Sequence, residues 1–245
     1  MLCYSMSAQN TLIEAARKAA NNTEEAANSL DGSFTGKTFK VTNVDGKRMM
    51  TSLEVMGDMR GEDVFVKTLS WMIQQGNNLK EYVKDVDYQN MRVVYEQPMK
   101  SEKSSSLSYK YSLTVQVDGN LLSFTIDNIE MIHTGLLNSY RATPFDKLNP
   151  EKTKKHLETI KDFESVMSQK LCAMLNYVEM ANVQRVTHWD EVIRGNIVKG
   201  MNETECLLSM GKPKINDMAG GNNRWVYDAR TYIFFTDGRV STFLK

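Results

Sequence analysis

Three histidines and three cysteines hold the widest range of bond-making chemistry in this chain, and their spacing gives none of it a partner. His133, His156 and His188 fall in a loop, on a charged helix face and at a helix start. No two share a helical turn, so the short ligand spacing that holds zinc is missing. Cys172 sits between Leu171 and Ala173-Met174, a packed helical setting in which a thiol is inert. Gly-x-Ser-x-Gly, Walker and Gly-x-Gly-x-x-Gly sequences do not occur. Gly220-Gly221 lacks the strand before it and the helix after it that a phosphate cradle uses. Asp190-Glu191 and Glu24-Glu25 read as solvated helix charges. The sequence therefore predicts no catalytic residue, no cofactor site and no metal ligand.

The elements that would position any site have an ordinary composition. Hydrophobic residues make up 41% and charged residues 24% of 245 positions, enough apolar material for true cores. The 30 Lys+Arg balance the 30 Asp+Glu, which leaves no field to attract nucleic acid or an anionic membrane. No stretch approaches the ~20 apolar residues that span a bilayer. Sixteen methionines suit irregular core packing. Residues 1–8, apolar and small up to Ala8, resemble the tail of a truncated signal peptide, with Gln9 opening the mature chain; a cytoplasmic amino terminus is the alternative. If Cys3 leaves with that segment, Cys172 and Cys206 remain as an exported pair or as two buried free thiols.

An Ala-rich helix is expected over 9–33. Residues 34–148 read as one α+β unit. Phe39 and Val41 alternate with polar residues, Asp45-Gly46 turns, and a second strand runs from Met49 to Met56. Val64, Phe65, Thr68, Leu69, Met72 and Ile73 share one helical face. Strands follow at 82–86 and 91–95. A long hairpin then alternates from Tyr109 to Val117, turns at Asp118-Gly119 and returns through Leu122, Phe124 and Ile126. Residues 134–148 read as a loop. Asn149-Pro150 opens a long linking helix over 149–187, with Leu157, Ile160, Phe163, Met167, Leu171, Met174 and Val178 as its core stripe and a break between Asn176 and Thr187. Residues 188–245 form the last unit. Asn202 and Glu205 make a capping box, Gly211 stops the helix, and Pro213 blocks its resumption. Three strands follow, the last two joined at Asp237-Gly238.

Those carboxy-terminal strands are apolar on both faces: Tyr232 and Phe234 point one way, Ile233 and Phe235 the other, and Trp225 and Tyr227 oppose Val226 and Asp228. One face must bury against helices, and the other must meet the first unit or a partner. Trp225, Tyr227 and Phe235 are the predicted protein-binding residues.

The run Gly200-Met201-Asn202, Cys206, Gly211-Lys212-Pro213 and Trp225-Val226-Tyr227, closed by an aromatic strand and Asp237-Gly238-Arg239-Val240, resembles the BamE (SmpA/OmlA) domain. That resemblance implies two helices on a three-stranded antiparallel sheet, a fold shared with β-lactamase-inhibitor-like proteins, and a protein-binding role in the bacterial envelope. Leu69-Ser70-Trp71, Val93-Val94-Tyr95-Glu96, Tyr111 to Val115 and Phe124 to Ile129 resemble an uncharacterised family of exported bacterial domains with a TBP-like fold. The reading is thus an α+β chain exported to the periplasm or cell surface, with a TBP-like antiparallel sheet domain and a BamE-like domain joined by a long helix. Its expected role is non-enzymatic, binding another envelope protein, with no nucleic acid, cofactor or transmembrane span. An inhibitor of a secreted enzyme is the runner-up, and an uncharacterised enzyme the third reading.

Overall fold

The computed structural model describes residues 34–76, 79–135, 139–217 and 223–244. The expected signal tail at 1–8, the helix at 9–33 and Gly220-Gly221 lie outside the described residues.

Strands β1 (Thr42–Val44) and β2 (Lys47–Val55) are joined at Asp45-Gly46, where both residues have positive φ (51° and 80°), as a type I′ turn demands. Helix α1 (Gly61–Gln75) follows, then a short α2 (Leu79–Tyr82) running into β3 (Val83–Asp87) and β4 (Arg92–Tyr95). The short β5 (Met99–Lys100) leads to the long hairpin of β6 (Leu107–Asp118) and β7 (Leu121–Thr134). The turn of that hairpin is Gly119-Asn120, one residue later than expected. Asp118 pairs with Leu121, and Gly119 takes the positive φ of 59° in the first turn position, where a type II′ turn requires glycine.

The stretch expected as a loop holds β8 (Tyr140–Pro144) and a 3-10 turn, Phe145–Lys147. β8 was missed because Tyr140-Arg141-Ala142-Thr143-Pro144 has no apolar alternation; it is exposed along most of its length and exists by pairing with β7. Together these strands make an eight-stranded antiparallel sheet with the path β1-β2-β7-β6-β4-β3, β5 beside β6 and β8 beside β7.

Helix α3 (Lys154–Met180) begins later than expected. Asn149 precedes a proline and so avoids the helical region; its Oδ1 accepts from Lys152 N (3.0 Å) in a local turn. The helix does not link two sheets. It lies with α1 on one face of the large sheet, where Phe163, Met167, Leu171, Met174 and Val178 are buried against Leu113, Val115, Phe124 and Ile126. A second stripe of α3 is polar. Glu164, Ser168, Cys172 and Asn176, spaced every fourth residue, bond the extended segment 34–41. Asn176 Oδ1 accepts Phe34 N (3.0 Å), Cys172 Sγ donates to Lys37 O (3.3 Å), Ser168 Oγ accepts Phe39 N (2.9 Å) and Glu164 Oε1 accepts Val41 N (2.9 Å). That ladder satisfies a strand-like segment that has no sheet neighbour.

After an extended connection at 181–188 come α4 (Trp189–Arg194), α5 (Glu203–Met210) and strands β9 (Ile215–Asp217), β10 (Asn223–Val226), β11 (Tyr232–Thr236) and β12 (Arg239–Leu244). This sheet has four strands, in the order β12-β11-β10-β9, rather than the three expected. β9 escaped notice because its three residues are too few for a period. The unit docks on the first through Trp189, whose Nε1 donates to Glu62 Oε1 (3.0 Å) and whose ring lies 5.3 Å from that of Tyr88. Lys212 Nζ donates to Gln74 O (2.9 Å) across the same seam. Among the described residues, no helix is long and apolar enough to cross a membrane.

Candidate functional site

A buried carboxylate fixes the carboxy-terminal unit in place. The expected capping box is present: Glu205 N donates to Asn202 Oδ1 (2.9 Å), and Asn202 N donates back to Glu205 Oε2 (2.7 Å). Glu205 is wholly buried, and its other oxygen accepts Thr187 N (2.6 Å), His188 N (2.7 Å) and Thr187 Oγ1 (3.0 Å). Burial alone would raise its pKa, but the N–H groups of Asn202, Thr187 and His188 outweigh it and hold the carboxyl below its ordinary value. His188 Nδ1 also lies 3.0 Å from Glu205 Oε1 and 3.1 Å from Thr187 Oγ1. A catalytic relay puts acid and nucleophile on opposite ring nitrogens; here both sit at Nδ1. The cluster is a joint that ties residues 185–188 to α5.

The three residues predicted to bind a partner face inward. Trp225, Tyr227 and Phe235 are buried, with the Trp225 ring tilted 58° against that of Phe235 at 5.0 Å and Tyr227 Oη donating to Gly211 O (3.0 Å). Register explains this: Trp225 pairs with Ile233, and both point to the face that packs with Cys206 and Leu208 of α5. Cys172 and Cys206 are both free and buried, and burial pushes both thiols up, so neither is poised as a nucleophile.

The opposite face is the open one. Cross-strand pairs Ile215–Val226, Val226–Tyr232 and Tyr232–Leu244 line up one apolar row across all four strands. Its ends, Ile215 and Leu244, are 56% and 57% exposed. The row turns a corner at β12. Arg239 and Val240 are covered on the strand's free side, because Val240 N donates to Met201 O (2.7 Å) and Gly200 N to Val240 O (2.9 Å). Beyond the bulge at Ser241, the edge Thr242-Phe243-Leu244 is uncharged, exposed and without a strand neighbour on that side. Around the corner, Phe243, Leu244, Ile197, Val198, Met210 and Ile233 line a cleft of about 220 Å³ between sheet and helices. Ligand pockets run to ~300–1,000 Å³, so this cleft suits one or two side chains. The sequence shows the two-faced strands, but the residues it puts forward, Trp225, Tyr227 and Phe235, lie on the buried face. The signal that could have chosen is Asp217 and Arg224, whose alternation with Trp225 marks the other side as wet.

Two other depressions carry less. One of about 450 Å³ lies in the seam between β3 and helices α4 and α5. Its sheet edge is blunted by a bulge at Lys84 and by the Asp85–Arg92 ion pair (2.8 Å). The second, about 340 Å³, sits by the bulge of β6, and two of its three acids are engaged: Glu96 accepts Ser112 Oγ (2.7 Å) and Asp146 accepts Arg48 N (2.6 Å). Among the described residues, no group of three or more His, Cys, Asp or Glu side chains could hold a metal ion. His133 lies on β7, and His156 Nδ1 accepts Asn149 N (3.0 Å).

The whole-chain comparisons speak to the large sheet. The architecture is similar to that of a TBP-like protein from Parabacteroides distasonis, with a TM-score of 0.51 at 8% identity over 58% of this chain and 99% of that one. The fold is TBP-like. A DUF4468 family protein from Bacteroides ovatus aligns over 60% of this chain and 94% of its own, at 14% identity and a TM-score of 0.43. No family model and no curated protein matches the sequence. The outward side of the TBP-like sheet is mixed: Thr51, Thr114, Gln116, Ser123 and Thr125 share it with Leu53, Val55 and Val94, and its Arg92 is paired to Asp85.

Proposed function

We propose that this chain is a non-enzymatic binding protein of the bacterial cell envelope, and that it holds another envelope protein at the apolar corner of its carboxy-terminal sheet. The observation that carries this reading is the uncharged, exposed edge Thr242-Phe243-Leu244, continuous with the row Ile215, Val226 and Tyr232 on one side and with the 220 Å³ cleft on the other. An extended apolar segment of a partner fits there by strand addition, its backbone on β12 and alternate side chains in the cleft. The carboxy-terminal unit is read as BamE-like: a capped short helix stopped at Gly211, a second short helix, and an antiparallel aromatic sheet support that kinship.

A photo-crosslinking amino acid placed at Thr242, with Thr114 on the outer face of the large sheet as control, tests this in cells. One defined adduct with an envelope protein from position 242, and none from 114, is the expected result. Equal labelling at both positions, or none at 242, removes the corner as a contact. Fractionation of the tagged chain into cytoplasm would remove the envelope.

A further inference from the structure

The seam between β3 and helices α4 and α5 does not close. It leaves a cleft of about 450 Å³, within the ~300–1,000 Å³ of small-molecule sites, whereas the corner cleft is smaller. As a strand acceptor it is poor, because the bulge at Lys84 and the Asp85–Arg92 pair spoil the β3 edge. Its lining suits a small molecule instead. Val83 and Val86 wall it on the strand side, and Val192, Leu208 and Met210 on the helix side. The polar contacts that hold the seam, Trp189 to Glu62 and Lys212 to Gln74, stand outside it, so nothing fills the space between the apolar walls. Ile193, also in the lining, is 52% exposed. The charged groups of the cleft are Lys80, Lys84 and Asp85. Asp85 is neutralised by Arg92 (2.8 Å). Neither lysine side chain has a hydrogen bond or ion pair among the described residues. Gly195 closes α4 in the left-handed conformation (φ 71°, ψ 28°), and Lys80 Nζ lies 3.7 Å from where a Cβ would stand on it. The amine of α2 thus reaches across to the helix side.

We propose that this cleft binds a medium-chain fatty carboxylate, with its alkyl chain between the valines of β3 and Leu208 and Met210, and its head at Lys80 and Lys84. Lysine stems lying over apolar surface account for two exposed lysines, and loose packing accounts for a gap. Neither accounts for their combination: a trough of ligand size whose unneutralised charges are both positive. Branched aliphatic walls with one methionine conform to a flexible alkyl chain, which gains by leaving water. A carboxylate at the lysines supplies the negative charge that Asp85, held by Arg92, does not. The walls face each other across the seam rather than outward onto a plane, so the occupant is a free amphiphile and not the surface of a bilayer. The site is distinct from the apolar corner, with Met210 lining both.

The test is calorimetric titration of the chain at neutral pH with decanoate, butyrate and decyltrimethylammonium, each below its micelle concentration. Decanoate is expected to bind at a single site. Butyrate should bind at least about a hundredfold more weakly, having lost most of the apolar burial. Decyltrimethylammonium keeps the chain and reverses the head, and should be at least about tenfold weaker. Lys80→Glu with Lys84→Glu, both on the exposed surface, should invert that order of heads while leaving the melting temperature in place. Isotope-labelled methyl groups report where decanoate sits: those of Val86 and Ile193 should shift, and those of Val198, in the corner cleft, should not. No saturable decanoate binding overturns the proposal. So does equal affinity for the two heads, an order unchanged by the double substitution, or shifts at Val198 in place of Val86. Sedimentation with phosphatidylglycerol vesicles by a chain that does not bind free decanoate would assign the lysines to a membrane surface and overturn it as well.

Discussion

The two sheets of this molecule treat their edges in opposite ways. The large one has a mixed outer face, with Leu53, Val55 and Val94 beside Thr51, Thr114 and Ser123, and its edges are closed: β3 is bulged at Lys84, β8 ends at Pro144, and β1 is three residues long. The small one presents an apolar row outward and leaves the end of β12 uncharged and open. Their inner construction differs as well. α3 is held to segment 34–41 through four separate side chains, whereas the small unit depends on one buried tryptophan and one buried carboxylate.

The largest effect expected is at Trp225. Truncation to alanine removes a ring that is 5% exposed and packed against Phe235, and should cost about 3–5 kcal/mol. Hydrogen exchange distinguishes how that loss is shared. Amides of β10 to β12 should open while those of β6 and β7 keep their protection; simultaneous loss would mean that the two sheets form one cooperative block. Glu205→Ala comes next, at about 3 kcal/mol, because it strands buried N–H donors of Thr187, His188 and Asn202. Glu205 is held below its ordinary pKa in the folded chain. Its contribution is therefore present above the unfolded value of about 4.5 and is lost as pH falls through the lower folded value. Acid titration of wild type against Glu205→Gln, followed by tryptophan fluorescence, should show the wild type losing its margin over the variant below about pH 4.5.

Gly211→Val is expected to cost about 2 kcal/mol, read as a drop in melting temperature. Its backbone has φ 84° and ψ −162°, a region more restricted to glycine than the left-handed cap its place after a helix suggests. This residue marks what the sequence could convey. The ends of α5, the turns at Asp45-Gly46 and Asp237-Gly238 and most strands of the TBP-like sheet were legible because caps, Asp-Gly turns and alternation are local. The partner-facing side of the small sheet was not, since alternation yields two faces and only packing against α5 decides which is inside. The polar stripe Glu164, Ser168, Cys172 and Asn176 shows its period in the sequence, but its use depends on a segment more than a hundred residues away. Ser168→Ala, which takes one acceptor from that ladder, should cost about 1 kcal/mol. A larger loss would mean that segment 34–41 is held by few points, as the small unit is.

The smallest expected effect on stability is also the sharpest probe of the contrast between the two sheets. Ile215 begins the outer apolar row and is 56% exposed. Replacing it with lysine on an uncovered face should change stability by less than about 0.5 kcal/mol. If a partner covers the row, the same change buries a charge at the contact and should abolish the adduct at Thr242 while leaving the melting temperature in place. A stability loss of 2 kcal/mol or more would instead mean that Ile215 is packed within the chain, and the outer row would then be a second core face rather than a contact. The outer side of the large sheet supplies the control: Thr114→Lys, equally mild in stability, should leave the adduct intact, because nothing is expected to dock there.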